Sequence, residues 1–462
     1  MSSKKLIIFL VIAAVLIIGL LIATSFLGKH KSEVDLSKKV KPITLTYWRT
    51  TDSPGDVSDI INSFHQRYSH ISIAVRQIKP EEYERALLEA WAEDRGPDIF
   101  SIPLTMLGKY QSKIYPLPSY AVLEVGRKYV TQGLKEETKI TLDKISLPNL
   151  RQLKETYIDA VSSNIISPDG KIYGFPLALD TLVMYYNRDL LNNAGIAEVP
   201  QTWQEFVEEI YRLTILDREG NFVQSGANLG GVDNISHLTD TVALLMMQNG
   251  TQMFSNGKAS FNQPLAEDPS YFPGVEAVRF YTDFSRQGKE TYTWNEAMPK
   301  DIEAFISGKL AFYFGWASER QKIRQLAPKL NFDSAPVPQI ADTLRPVNIA
   351  NYNLEVVSFK TKYPDESWAF LMEMTKPEVI KSYLAKTKYP TVHRSLINWQ
   401  LEDYDLSPFV NGVLTAKVWY TGKNYSLVEE AFKEMIRDVI LGRRETILDA
   451  INFCVQKVNL TL

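Results

Sequence analysis

Between Ile43 and Ile102 the spacing of apolar residues switches repeatedly between two periods, and that alternation confines the fold more than any other feature of the chain. Ile43, Leu45 and Tyr47 alternate with Thr44, Thr46 and Trp48, the period of two expected of a strand. Val57, Ile60, Ile61, Phe64 and Tyr68 then follow helical spacing, residues 71–78 alternate again, and Tyr83, Leu87, Leu88 and Trp91 form a second helical stripe. Gly96-Pro97-Asp98 breaks that stripe and residues 99–102 resume an extended run. Strand, helix, strand, helix, strand predicts an α/β layer with a parallel sheet covered by helices. At 462 residues, 45% hydrophobic and 23% charged, the chain has room for about two or three such domains.

Charge and cysteine content exclude some function classes. The 51 basic and 54 acidic side chains give a net charge of -3, which leaves no electrostatic footprint for nucleic acid. The one cysteine, Cys454, rules out an intramolecular disulfide and a cysteine-based zinc cage. It sits among Ile447, Leu448, Ile451, Val455 and Val458 at helical spacing, so a buried structural thiol is expected. A capped amphipathic helix is expected over 427–441, with Val428, Phe432, Met435 and Val439 on one face and Gly442 closing it.

No charged residue occurs from Leu6 to Leu27, and at about 1.5 Å per residue that run would span roughly 33 Å as a helix, enough to cross a bilayer. Lys4 and Lys5 precede it as in a signal peptide, but the run is longer than an ordinary h-region, which favours an uncleaved signal anchor over 1–28 with a polar linker over 29–41. Cleavage near Ala23-Thr24-Ser25 is the alternative. Lys29, Lys31, Lys38, Lys39 and Lys41 follow the run, and a simple positive-inside count would place the body in the cytoplasm. The Lys- and Glu-rich stretch 120–153 reads as helices or a surface insertion, with no function attached.

A second ordered tract lies between Gly170 and Phe206. Ser167-Pro168-Asp169-Gly170 is a turn signal, residues 172–179 read as extended chain, and Thr202 with Glu205 three residues later is a capping box ahead of Trp203, Phe206, Val207, Ile210 and Leu213. The tract resembles the extracellular solute-binding proteins of ABC importers. Their sugar-binding branch carries Tyr-Gly-x-Pro, an acidic residue, Tyr-Asn-Lys/Arg-Asp-Leu and Pro-x-Thr-Trp-x-Glu-Phe. Here these are Tyr173 to Pro176, Asp180, Tyr186 to Leu190, and Pro200 to Phe206.

The resemblance implies a two-lobed, type II-like periplasmic-binding-protein fold with the ligand in a hinge cleft, and each lobe discontinuous in sequence. The segments expected are 42–165 plus 296–345 for the first lobe and 166–295 plus 346–462 for the second. It implies capture of a mono- or oligosaccharide and delivery to the transmembrane subunits of an ABC permease. It also implies a body on the extracytoplasmic face, against the positive-inside count, with the membrane span Leu6 to Leu27 taking the place of a lipid tether. Neither cofactor nor metal is expected.

Such proteins stack aromatic rings on sugar faces and bond the hydroxyls with planar polar groups. Trp48 and Arg49 end the first strand, where an open α/β sheet offers ligand contacts; the alternatives are a Trp packed under the next helix and an Arg in a surface salt bridge. Gly308 to Trp316 resembles the family segment whose Trp stacks on sugar, with the spacing one residue short, so Trp316 is a candidate against a core-packed indole. Asp180 matches the family's acidic residue; its alternative is the N-cap of a helix over 182–191. Trp294, Asn351 and Tyr352 belong to polar-aromatic clusters near expected lobe crossings, where aromatics also cover core edges. Gly230, Gly231 and Asn234 read as a plain glycine turn in preference to a ligand loop.

The enzyme signatures fail. The stretch from Gly250 has six residues between its glycines and Ala259 after the Lys, so it is no P-loop, and the histidines show no zinc-ligand spacing. Capture without catalysis is the expected function. The alternatives are a tethered sensor or scaffold of the same fold, a binder of a peptide or polyamine, and a carbohydrate-active enzyme.

Overall fold

Burial follows the period of two in the first strand: Leu45 and Tyr47 are buried while Thr44 is exposed, so one face of the strand packs inward. The computed structural model describes residues 40–462 other than 51, 52, 132–134 and 168, with the backbone alone over 127–139. The expected span Leu6 to Leu27 lies outside the described residues, and among these no helix is long and apolar enough to cross a membrane.

In chain order the strands are β1 (Ile43–Arg49), β2 (Ile71–Gln77), β3 (Ile99–Pro103), β4 (Tyr120–Thr131), β5 (Lys135–Ser146), β6 (Gly174–Phe175), β7 (Asp180–Asn187) and β8 (Ile215–Leu216). They continue with β9 (Phe222–Ala227), β10 (Phe254–Ser255), β11 (Lys258–Ala259), β12 (Leu310–Trp316), β13 (Phe332–Pro336), β14 (Asn348–Asn351), β15 (Asn353–Val357) and β16 (Ala416–Lys417). Five form one sheet in the order β2-β1-β3-β15-β6, and a second runs β16-β14-β7-β12-β9-β8 with β13 also on β7. The expected α/β pattern holds: β1 and β3 pair in parallel, with Tyr47 opposite Ile99, and helices cover the sheet. Helices Ser58–Arg67, Pro364–Met374 and Pro377–Thr387 pack together on the first sheet. Helices Leu238–Gln248, Pro273–Asp283, Tyr425–Ile440 and Ile447–Asn459 pack together in the second lobe, and Cys454 is buried there as expected.

The chain passes between the sheets at short connections. Residues 176–179 join β6 in the first sheet to β7 in the second, and Tyr352 alone joins β14 in the second to β15 in the first. A later passage follows helix Pro377–Thr387, which packs on the first-lobe helix Ser58–Arg67, and precedes helix Ser407–Val410, which packs on β7. The first and last passages are tied, because Leu179 N donates to the Pro390 carbonyl at 3.1 Å. The expected segment boundaries do not match strand membership: β12 and β13 lie in the seven-stranded sheet, whereas β6 and β15 lie in the five-stranded one. Periodicity marks a strand without naming its partner.

Two local expectations change. Residues 180–187 are strand and only Arg188–Asn193 is helical, with Asn187 as its cap, so Asp180 caps no helix. The stretch 120–153 holds the two-stranded pair β4 and β5, then a helix Leu150–Thr156 begun by an Asn149 capping box. Lysines and glutamates on a two-stranded ribbon mask a period-two pattern that Ala121 and Leu123, both buried, still carry. By contacts the described chain divides into a unit of Thr44–Leu123 with Asp143–Leu462, which holds nearly all of both sheets, and a small unit that includes Glu124–Leu142.

The Thr202 capping box forms as expected: Thr202 Oγ1 accepts from Glu205 N at 3.2 Å, and Glu205 accepts from Thr202 N at 3.1 Å. Thr202→Ala leaves Glu205 N without its acceptor and is expected to lower unfolding free energy by about 1 kcal/mol. Urea unfolding at constant m-value measures the loss, and Thr202→Ser should recover most of it.

Candidate functional site

Strand register draws separated candidates to one place. Asp180, the first residue of β7, lies directly opposite Asn351 of β14. Two residues on, Leu182 lies opposite Trp316 at the end of β12 on the other side of β7. Neighbouring strands are about 4.8 Å apart, so Asn351, Asp180 and Trp316 converge although they are far apart in sequence. Tyr185 fixes the backbone beneath Trp316, donating its hydroxyl to the Trp316 carbonyl at 2.7 Å.

A cavity of about 210 Å³ opens here, and Arg49, Asp180, Trp316, Asn351 and Tyr352 all line it. Both short passages between the sheets contribute wall, through residues 177–179 and Tyr352. Asn351 also lines a second cavity of about 240 Å³, walled by Thr105 and Met106 after β3 and by Asp240, Trp419 and Tyr425. Each lies somewhat below the range of about 300 to 1,000 Å³ for drug-sized ligands, which suits a small solute or single units of a longer one.

Two candidates lie elsewhere. Trp294 has no exposed surface; its Nε1 donates to Asn234 Oδ1 at 2.9 Å and its ring is pressed on Gly231, where a Cβ would come within 2.5 Å of the indole. The expected glycine turn thus serves packing, with Gly230 at φ +94° and Gly231 leaving room for the indole. Trp48 does not line the cavity; its carbonyl accepts from the Tyr83 hydroxyl at 3.1 Å and Arg76 lies over its ring at 4.8 Å.

The model of the bacterial extracellular solute-binding proteins matches residues 59–400. The chain belongs to that family. This solute-binding protein is 26% identical over 302 residues to the maltodextrin-binding protein MdxE of Bacillus subtilis (strain 168), a match covering 61% of this chain and 65% of that relative. The chain thus spans just under two thirds of that relative's length. It is 22% identical over 356 residues to the sn-glycerol-3-phosphate-binding periplasmic protein UgpB of Yersinia enterocolitica, covering 75% of this chain and 73% of the relative. Among solved structures, the maltose-binding periplasmic protein MalE from Listeria monocytogenes in complex with maltose has the same two-lobed α/β fold, with a TM-score of 0.68, 17% identity, and 92% of this chain and 100% of that chain covered.

The charged groups of the solute-binding protein's cavity are held by built networks. Arg49 and Glu355, 2% and 1% exposed, form an ion pair at 3.4 Å rather than the surface bridge that sequence offered as the alternative. The Tyr47 hydroxyl donates to Glu355 Oε2 at 2.6 Å, Ser101 donates to the same oxygen, and Arg49 also reaches the Tyr383 hydroxyl at 3.4 Å. Glu355, Tyr383 and Tyr389 line the cavity and were missed by sequence reasoning. Glu355 in β15 lies opposite Ser101 in β3, and a lone Glu in an apolar strand is the signal that could have found it.

Behind Trp316 is a second network. Glu319 Oε2 accepts from Trp316 N at 3.0 Å and from the Tyr313 hydroxyl at 2.9 Å. Burial alone would push the Glu319 carboxyl up, but hydrogen bonds and the charge of His237 outweigh it and hold Glu319 below its ordinary range. Burial lowers His237, yet the Glu319 hydrogen bond and the charges of Glu319, Asp240 and Asp301 leave it raised. An ionised Glu319 can only accept, so His237 Nε2 donates across the 3.0 Å contact.

Asp180 has the opposite balance. Burial pushes its carboxyl up to about 7, against hydrogen bonds from Ser318 N at 3.3 Å to each oxygen, and Glu319 adds to the rise. A carboxyl raised on folding binds its proton more tightly in the native state, so its contribution is complete below the unfolded value near 4 and fades as pH rises through about 7. His237, also raised, changes stability in the same direction. Thermal stability is therefore expected to fall between about pH 5 and pH 8, and Asp180→Asn, which keeps an acceptor for Ser318 N, should flatten the decline. Melting curves of both proteins across that range decide it; identical slopes would remove Asp180 as a cause.

Proposed function

We propose that this protein captures a carbohydrate between its two lobes outside the cytoplasm and presents the closed form to the transmembrane subunits of an ABC importer, capturing its ligand without chemistry. The observation that carries the reading is that both short passages between the sheets wall one cavity in which an indole, Trp316, stands beside the planar polar groups Asp180 and Asn351. An aromatic face and planar hydrogen-bonding groups are what a pyranose requires. The naming of a maltodextrin-binding relative and of a maltose-bound structure of the same fold supports that ligand class. A solute that touches both sheets favours closure by its differential affinity for the closed state, and the short passages are where the backbone would turn.

The first test is thermal unfolding of the full chain in detergent against maltose, maltodextrins and other sugars. A ligand at about 100 times its Kd should add roughly 2.7 kcal/mol of stability. Trp316→Ala should weaken that sugar's affinity by about tenfold or more, with Trp316→Phe keeping part of it. A folded sample that no sugar shifts would sink the reading, and a shift by glycerol 3-phosphate alone would replace the ligand class.

Anchoring through Leu6 to Leu27 belongs to the same proposal and rests on that uncharged run. Alkaline washing of membranes should leave the chain in the pellet. Release to the supernatant of a chain shortened by its first residues would favour cleavage instead.

A further inference from the structure

The second cavity differs in chemistry from the first. Among the described residues no Lys or Arg lines it, and the one carboxylate there, Asp240, is accompanied by Trp419, Tyr420 and Tyr425. Asp240 lies in the first turn of helix Leu238–Gln248 and accepts from Trp419 Nε1 at 3.2 Å and from the Tyr425 hydroxyl at 2.8 Å. Both donors reach Oδ1, and no donor among the described residues reaches Oδ2.

The rings hold one another in a fixed cluster. Trp419 and Tyr425 meet at 6.1 Å and 60°, Trp419 and Tyr420 at 5.9 Å and 54°, and Tyr420 and Tyr425 at 5.6 Å and 44°. Aromatic faces attract cations through the ring quadrupole, and a carboxylate beside them adds a charged acceptor. Among the described residues, the one cationic group acting on Asp240 is already engaged by another carboxylate. Glu429 acts on Asp240 with like sign, and His237, which also acts on it, is already paired with Glu319 at 3.0 Å. Burial holds the Asp240 carboxyl above its ordinary range, against the two donors and the charge of His237.

We propose that the cavity at Asp240, Trp419 and Tyr425 binds an ammonium group carried by the solute, so that the preferred ligand is an amine-bearing sugar. The inference rests on the carbohydrate reading above. Asn351 lines both cavities, so one sugar unit stacked at Trp316 and the next, bearing the amine, at Asp240 is the arrangement expected.

The test is calorimetric titration of the full chain in detergent with a glucosamine disaccharide, its N-acetylated form, a glucose disaccharide of the same linkage, and spermidine. The glucosamine disaccharide should bind about tenfold or more tighter than the N-acetylated one, which is larger but uncharged at nitrogen. Asp240→Asn keeps an oxygen for Trp419 and Tyr425 and removes the charge, and should bring the two affinities close together. Equal affinities in the unsubstituted protein would overturn the inference and leave carbohydrate capture standing. Spermidine binding without any disaccharide, lost in Asp240→Asn, would support ammonium recognition and overturn the carbohydrate reading. Silence from all four ligands in a folded sample would overturn both.

Discussion

Strand β7 is the constraint on which the rest of the site depends. It is hydrogen-bonded along its length to β12 on one side and to β13 and β14 on the other, so its register sets what stands beside Asp180. Side chains alternate along a strand, and a slip of one residue would turn Asp180 away from the cavity and break its pairing with Asn351. The slip is opposed by burial: Leu182, Val183, Met184 and Tyr185 are all inaccessible, so both faces of the strand are committed to packing. The passage 176–179 ends where β7 begins, and Tyr352 follows where β14 ends. The same register therefore fixes the site and the points at which the chain passes between the sheets.

The ionisable groups around the cavity are matched before any ligand arrives. Arg49 and Glu355 are almost wholly buried, and a buried ion pair costs desolvation that only good geometry and additional hydrogen bonds offset. Tyr47 and Ser101 supply those bonds on the Glu355 side. The His237 and Glu319 pair likewise ties the Trp316 backbone to the helix that His237 precedes. Pre-oriented polar groups lose little freedom on binding, which lets a modest number of contacts discriminate among solutes. Asp180 and Asp240 are the exceptions, both raised by burial, and both stand in walls of the cavities where a ligand can supply what the protein does not.

Much of the fold was legible in the sequence because its signals are local. The Thr202 capping box, the alternation of β1 and the apolar face that buries Cys454 each depend on a few neighbouring residues, and each is present in the structure. Over 120–153 helices and a surface insertion were both open readings, and the ribbon found there buries little and leaves charged side chains on both strands, which hides its alternation. Trp294 was a candidate as an indole in a polar-aromatic cluster, and Trp316 as the last residue of the family segment that begins at Gly308. What separates them is Gly231 and Asn234, some sixty residues earlier, which close around one indole and not the other.

The sequence by itself determined the α/β class, the start of the helix at Thr202, the family tract from Tyr173 to Phe206 and the acidic residue within it. Periodicity and capping are properties of a few consecutive residues, and a motif is read in order along the chain. The tertiary structure alone decided which sheet each strand joins. It brought Arg49, Asp180, Trp316 and Asn351 to one cavity, paired Glu355 with Arg49 and set Asp240 among three aromatic rings. Those are contacts between residues distant in sequence, set by register and packing of the whole chain, and no local pattern encodes them.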